Sequence, residues 1–212
     1  EVLGITRDRI VCSDQTHTTN IRIVTKKDAG KGIDRQRDYT DIDGLITSEK
    51  GLALATFYAD CVPLYLVDPV KEVIGLAHSG WRGTVAGMGK KMVERMHAEF
   101  GCDPADIHAA VGPSICQDCY EVSSDVAEEF QKAFAGMNGA EKLLYQKPEQ
   151  KAEGKYQLDL WLANQLWLTE AGITPGHLEV TNVCTAHNPA YLFSHRKTNG
   201  KRGNLGAFLC LQ

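Results

Sequence analysis

Two histidines and a cysteine stand where their side chains can reach a cleft rather than a core. His17 falls in Ser13-Asp14-Gln15-Thr16-His17-Thr18, Cys61 in Tyr58-Ala59-Asp60-Cys61-Val62-Pro63, and His78 in Ala77-His78-Ser79-Gly80-Trp81-Arg82-Gly83, each a polar or glycine-flanked break between apolar runs. Imidazole and thiolate are ligands for zinc and for copper. Taken singly, the same residues have plainer readings: a lone cysteine is most often a small buried hydrophobe, and His17 an ordinary solvated histidine. Asp60 and Pro63 interrupt the flanking apolar runs, so Cys61 is expected at a strand end, where sites collect in sheet proteins.

Around His78 a strand is expected to end, a glycine-rich turn to follow and a helix to begin within six residues. Backbone amides at such a helix start attract anions, and Arg82 adds a planar cationic fork suited to phosphate or carboxylate. The plainer reading is a strand-to-helix turn whose Trp81 packs on the sheet and whose Arg82 forms a surface ion pair. A phosphate loop at Gly83 to Lys90 is rejected, because Gly83 and Gly89 have the wrong spacing and Lys91 replaces the required Ser or Thr. Cys116 and Cys119 resemble half of a metal knuckle, but a structural zinc site needs two more ligands, usually a second closely spaced pair, and the sequence reading finds none. A redox pair would open a helix, whereas Tyr120-Glu121-Val122 separates these cysteines from the expected cap at Ser123 or Ser124. His97 and His108 read as surface residues, His177 as part of a turn, and Cys12, Cys102 and Cys210 have no nearby partner.

The elements that must position these groups alternate, which indicates an α/β or α+β protein. Ile21 to Val24 reads as a strand and Lys26 to Asp41 as a long polar loop. Leu52 to Phe57, Leu64 to Val67 and Glu72 to Ala77 are short apolar runs suited to strands buried on both faces, with Asp68-Pro69 as a turn. Helical spacing from Thr84 to Phe100, with Thr84 as N-cap and Gly101 as stop, predicts one helix. A second is expected after Ser123-Ser124-Asp125 and a third from about Leu158 to Ala171, ending at Gly172. Strands are expected again at Leu178 to Val183, Tyr191 to His195 and Asn204 to Leu211, with Asn199-Gly200-Lys201 turning between the last two.

The 212 residues suit a single domain, 1–212. A net charge of -4 excludes a global field for nucleic acid or anionic membrane, and no apolar run reaches the ~20 residues that span a bilayer. Seven scattered cysteines argue against a disulfide framework and for a reducing, cytoplasmic setting. Glu1 to Arg7 do not form a signal peptide, and because the chain opens on Glu a preceding segment is expected to be missing.

In combination these segments resemble the family first described as laccase-like, multicopper polyphenol oxidases and since as purine nucleoside phosphorylases. The resemblance rests on Asp14-Gln15-Thr16-His17, Ala59 to Leu64, Ala77 to Thr84, Gly112-Pro113 with Tyr120-Glu121-Val122, Leu158-Asp159-Leu160 with Asn164, Cys184-Thr185, and Phe193-Ser194-His195-Arg196 followed by Gly203. It implies a compact layered sandwich of mixed β-sheets flanked by helices, CNF1/YfiH-like. It also implies a zinc ion held by His17, Cys61 and His78, and phosphorolysis of adenosine, inosine, guanosine and methylthioadenosine with some adenosine deamination. Two departures stand out: a preceding Gly-Gly-Val-Ser-like segment is absent, and His195 occupies a position where an aromatic residue is common.

The chemistry is compatible with that implication. Three protein ligands leave a fourth position for water or substrate, and zinc can lower the pKa of its water to roughly 7, which suits deamination. Phosphorolysis also requires an anion to be held, for which Arg82 and Arg196 are the candidates. Asp60 is a candidate for orienting a ligand or a ribose hydroxyl. Three other functions compete: a metal-free hydrolase with Cys61 as nucleophile and His78 as base, a copper-dependent polyphenol oxidase, and a purely binding or structural role. The oxidase needs several coppers and many histidines, and the chain has seven, mostly scattered.

Overall fold

Side-chain alternation sorts the chain into layers. The structure, a computed structural model, describes residues 4–212; the part of the N-terminal reading that rests on Glu1, Val2 and Leu3 lies outside the described residues. In chain order the elements are β1 (Ile10–Cys12), β2 (Ile21–Ile23), β3 (Gly44–Thr47), β4 (Ala53–Tyr58), β5 (Val62–Asp68), β6 (Val73–Ser79), α1 (Trp81–Val85), α2 (Met88–Phe100), β7 (His108–Val111), β8 (Glu121–Ser123), α3 (Ser124–Ala133), β9 (Leu144–Tyr145), β10 (Lys155–Leu158), α4 (Leu160–Glu170), β11 (Leu178–Val180) and β12 (Leu205–Cys210). A six-stranded mixed sheet runs β11-β7-β5-β6-β3-β2, and two three-stranded sheets run β1-β4-β12 and β8-β10-β9.

Strand β6 shows why the layers form. Ile74 and Leu76 face Val11, Leu54 and Ala207 of the β1-β4-β12 sheet, while Val73 and Ala77 point oppositely, into a core with Met92, Met96 and Leu168 of α2 and α4. Successive residues on a strand point to opposite faces, so one apolar run serves two cores. The result is a layered sandwich of sheet, sheet and helices. The β8-β10-β9 sheet and α3 join the helical side through Val122, Leu158 and Phe130. Among the described residues, no helix is long and apolar enough to cross a membrane.

Several expectations need correction. The helix expected over Thr84 to Phe100 is two helices, because Gly87 takes a left-handed conformation (φ +79) that interrupts the turn. Gly80, not Thr84, is the cap of α1; Thr84 lies inside it, buried. Gly101 does terminate α2, with its amide donating to the His97 carbonyl. Helix α4 begins after Asp159, whose carboxylate accepts from the Leu162 amide at 2.9 Å. No strand forms at Tyr191 to His195: the amides of Tyr191 and Leu192 turn back to the Asn188 carbonyl, and Tyr191 and Phe193 are 88% and 48% exposed, without a sheet to cover them. Strands β1, β3 and β7 to β10 have no counterpart in the sequence reading, because at two to four residues they are too short to display a period.

Candidate functional site

The antiparallel pairing of β5 with β6 sets Val62 opposite Ser79 and Pro63 opposite His78. His78 therefore lies within β6, not in the turn after it, on the face that carries Ile74 and Leu76. Cys61, immediately before β5, reaches the same place from the neighbouring strand. His17 arrives from the turn between β1 and β2, with its Nε2 3.9 Å from Cys61 Sγ and its ring centroid 5.0 Å from that of His78. The three donor atoms all lie within 4.8 Å of one another, and burial deepens from exposed His17 through half-buried Cys61 to buried His78.

Asp43, which the sequence reading missed, holds two of these residues in place. It is fully buried and lies just before β3. Its Oδ1 pairs with His78 Nδ1 at 2.8 Å and accepts from the His17 amide at 3.2 Å. Its Oδ2 accepts from the Thr16 and Thr18 amides and from the Thr18 hydroxyl, at 3.1, 2.8 and 2.9 Å. These bonds hold the turn in which His17 adopts φ +66, a conformation uncommon for a residue other than glycine. With Nδ1 paired to the carboxylate, His78 turns Nε2 toward Cys61, where it can serve as a ligand once it gives up its proton, the arrangement by which outer carboxylates orient metal-binding histidines. No sequence pattern marks Asp43, since its partners come from chain segments some 25 to 35 residues away.

The electrostatics of the triad are those of an ion pair. Burial would raise the Cys61 thiol, but hydrogen bonds from His17 and His78 outweigh it and bring it down to about 6. Burial would likewise lower His78, yet Asp43 and the Cys61 thiolate raise it to about 9. Asp43 is itself held below the ordinary carboxylate range, because its bonds to His78, Thr18 and Thr16 outweigh burial. A thiolate and two imidazoles facing one point make a donor set suited to a thiophilic divalent ion. Space is kept for it by Gly80: a Cβ there would stand 2.8 Å from His17 Cδ2 and 3.0 Å from Cys61 Sγ.

Beside this triad lies a cavity of about 80 Å³ whose wall includes Asp60, Trp81, Arg82, Ile115 and Tyr120. That volume holds a small anion or a few waters, each taking about 30 Å³ in the liquid. Arg82 is exposed, its guanidinium 4.3 Å from the Trp81 ring centre, and among the described residues it has no ion pair. Helix α1 is five residues long, so the anion attraction of its start is weaker than the sequence reading supposes. Asp60 is buried at φ +81, with Oδ1 accepting from the Thr185 hydroxyl at 2.6 Å and Oδ2 from the Arg196 amide at 2.7 Å. Arg196 does not line the cavity: its guanidinium lies 5.1 Å from the centre of the Tyr120 ring and donates to the Glu121 carbonyl. Behind the wall, Ser79, Thr84 and Asn164 form a buried hydrogen-bonded set that ties the end of β6 to α1 and α4.

Cys116 and Cys119 lie outside this cavity, and the second closely spaced pair that the sequence reading failed to find is present. Cys184 and His187 face them, and the four donor atoms lie within 4.8 Å of one another. The two-residue gap in Cys184-Thr185-Ala186-His187 repeats that of Cys116 and Cys119 and was the available signal.

Comparison with known proteins places this arrangement in context. The model of the multi-copper polyphenol oxidoreductase laccase family matches residues 1–212. "Purine nucleoside phosphorylase YlmD" of Bacillus subtilis is 38% identical over 203 residues, which cover 94% of this chain and 69% of that protein. "Adenosine deaminase RL5" from an unknown prokaryotic organism is 35% identical over 92% of this chain and 72% of its own length. The crystal structure of Bacillus licheniformis hypothetical protein YfiH superposes with a TM-score of 0.92 at 36% identity, covering 100% of this chain and 77% of that one.

Proposed function

The chain belongs to the multi-copper polyphenol oxidoreductase laccase family, and from that membership we propose that it is a zinc-dependent purine nucleoside phosphorylase that also deaminates adenosine. The observation that carries the reading is the convergence of His17, Cys61 and His78 beside a cavity walled by Arg82. The names of the two relatives support the reaction, one a purine nucleoside phosphorylase and the other an adenosine deaminase. The substrates proposed are adenosine, inosine, guanosine and methylthioadenosine.

In phosphorolysis a phosphate oxygen bonds to the anomeric carbon of the ribose as the bond to the purine nitrogen breaks, and that electron pair leaves with the base. Arg82 is proposed to hold the phosphate, which a cavity of about 80 Å³ admits while most of a nucleoside lies outside it. Arg196, stacked on Tyr120, is positioned to add charge from the rim. Asp60 ties the 181–204 loop to the cavity wall by accepting from the Thr185 hydroxyl and the Arg196 amide. His17, Cys61 and His78 would hold the zinc, with Asp43 fixing the tautomer of His78. When bound there, zinc supplies a Lewis acid for developing negative charge.

The thiolate of Cys61 beside a protonated His78 favours a second reading, a metal-free hydrolase with Cys61 as nucleophile. Copper-dependent oxidation is less well supported, since the two candidate clusters among the described residues contain three histidines between them. Chromatography of products from adenosine, with and without phosphate, tests the assignment on metal-analysed protein. Adenine with ribose 1-phosphate is expected in phosphate and inosine as a lesser product. Absence of both products with zinc-loaded protein would refute it. Cys61→Ser should lose zinc and turnover together, whereas loss of turnover with no metal to lose favours the hydrolase.

A further inference from the structure

Cys116 and Cys119 flank a single turn after β7, and Cys184 and His187 flank another after β11. A parallel bridge between Ser114 and Cys184 lays the two segments side by side, with the Ser114 amide donating to Val183 and the Thr185 amide to Ser114. Cys119 Sγ lies 3.1 Å from His187 Nε2, and Cys116 Sγ lies 3.8 Å from His187 Nδ1. We propose that Cys116, Cys119, Cys184 and His187 form a second metal site, structural and four-coordinate, that takes zinc independently of the His17, Cys61 and His78 triad.

The geometry is close to what the ion needs. Bonds of about 2.3 Å to sulfur and about 2.0–2.1 Å to nitrogen in a tetrahedron set neighbouring donors roughly 3.5–3.8 Å apart. The four donors here all fall within 4.8 Å, so shifts of about an ångström or less complete the site. The ligand set is closed. Three thiolates and an imidazole leave no position for substrate, as in structural rather than catalytic zinc. A hydrophobic cluster does not account for these residues, since His187 is exposed and Cys116 and Cys119 are only half-buried. The Cys116 amide donates to Cys184 Sγ at 3.4 Å.

The position explains what such a site would do. Residues 181–204 carry no strand or helix, and a loop of that length in a compact fold needs an anchor. The same loop supplies Thr185 and Arg196 to Asp60, and the other half of the clip leads into Tyr120 on the cavity wall. A metal here would fix the far wall of the pocket without touching substrate, coupling its binding free energy to the folding of the loop.

Native mass spectrometry of the full chain, purified from zinc-supplemented cells, counts the ions. Two zinc ions are expected in the wild-type chain, one in His17→Ala, one in the double variant Cys119→Ser with His187→Ala, and none when all three changes are combined. One ion in the wild type, lost in His17→Ala and kept in the double variant, would overturn the second site while leaving the triad intact. Should the double variant not fold, alkylation mapping of the wild type decides. Of the three cysteines, half-buried Cys116 and Cys119 should be protected from iodoacetamide at least tenfold until a chelator is added. Equal modification with and without chelator, or a disulfide between any two of the three, would overturn the proposal.

Discussion

Replacing Gly80 with Ala should empty the His17, Cys61 and His78 triad while sparing the fold. Gly80 sits at φ -72 and ψ 179, extended backbone open to any residue, so the new methyl costs nothing in conformation. It lowers the entropy of the unfolded chain, worth about 0.4–1 kcal/mol in favour of folding. Its cost is steric and local. Carbon atoms rest about 3.5–4.0 Å apart, whereas the Cβ would stand 2.8 Å from His17 Cδ2 and 3.0 Å from Cys61 Sγ. Both donors must therefore retreat by about 0.7 Å, several times the ±0.2 Å that a metal bond tolerates. Exposed His17 can rotate away at little cost to the fold, but the donor then leaves the ion. Zinc affinity at the triad should fall at least tenfold, about 1.4 kcal/mol, with the unfolding free energy of metal-stripped protein, from urea titration, changed by less than about 1 kcal/mol. Competition against a chromophoric chelator, made in the Cys119→Ser with His187→Ala background, reads the triad alone. Unchanged zinc affinity in Gly80→Ala would refute the claim that these three side chains share one ion.

Asp43→Asn should weaken zinc binding by roughly 10–100-fold; it should also destabilise metal-stripped protein by about 2 kcal/mol or more, because an amide group must then face donors that the carboxylate now satisfies. Retention of wild-type zinc affinity in a competition titration would show that Asp43 does not orient His78. Arg82→Ala should raise the phosphate concentration for half-maximal phosphorolysis tenfold or more without changing zinc content, and Arg196→Ala should do so to a lesser degree; equal phosphate dependence in all three proteins removes both from the mechanism. In metal-stripped protein Cys61 should stay reactive to iodoacetamide down to about pH 6, well below the ordinary thiol value of 9.0; a midpoint near 9 would contradict the ion pair. His78, raised to about 9, contributes stability below its ordinary 6.5 that fades as pH climbs, whereas lowered Cys61 contributes above 9.0 and fades as pH falls to about 6. The native pair and its unfolded counterparts each carry one proton near neutrality, so these opposing slopes cancel and unfolding free energy should show no net pH dependence from the pair.

What the sequence determined by itself was local. The apolar runs in β4, β5 and β6 and the stop at Gly101 follow from period and backbone preference, which act over a few residues. The two motifs around Cys61 and His78 were legible because an entire site wall is written in two short segments, joined in space by the adjacent strands β5 and β6. Tertiary structure decided the rest. It brought His17 to Cys61 across 44 positions and supplied Asp43 as the buried acceptor that aims both histidines. It split the expected long helix at Gly87, and it left Tyr191 to His195 without a sheet to join. It also joined Cys119 to His187 over 68 positions, which spacing alone did not disclose. Period and propensity report the conformation of a chain segment, while a ligand set or a buried carboxylate depends on which distant segments the packing of two cores forces together.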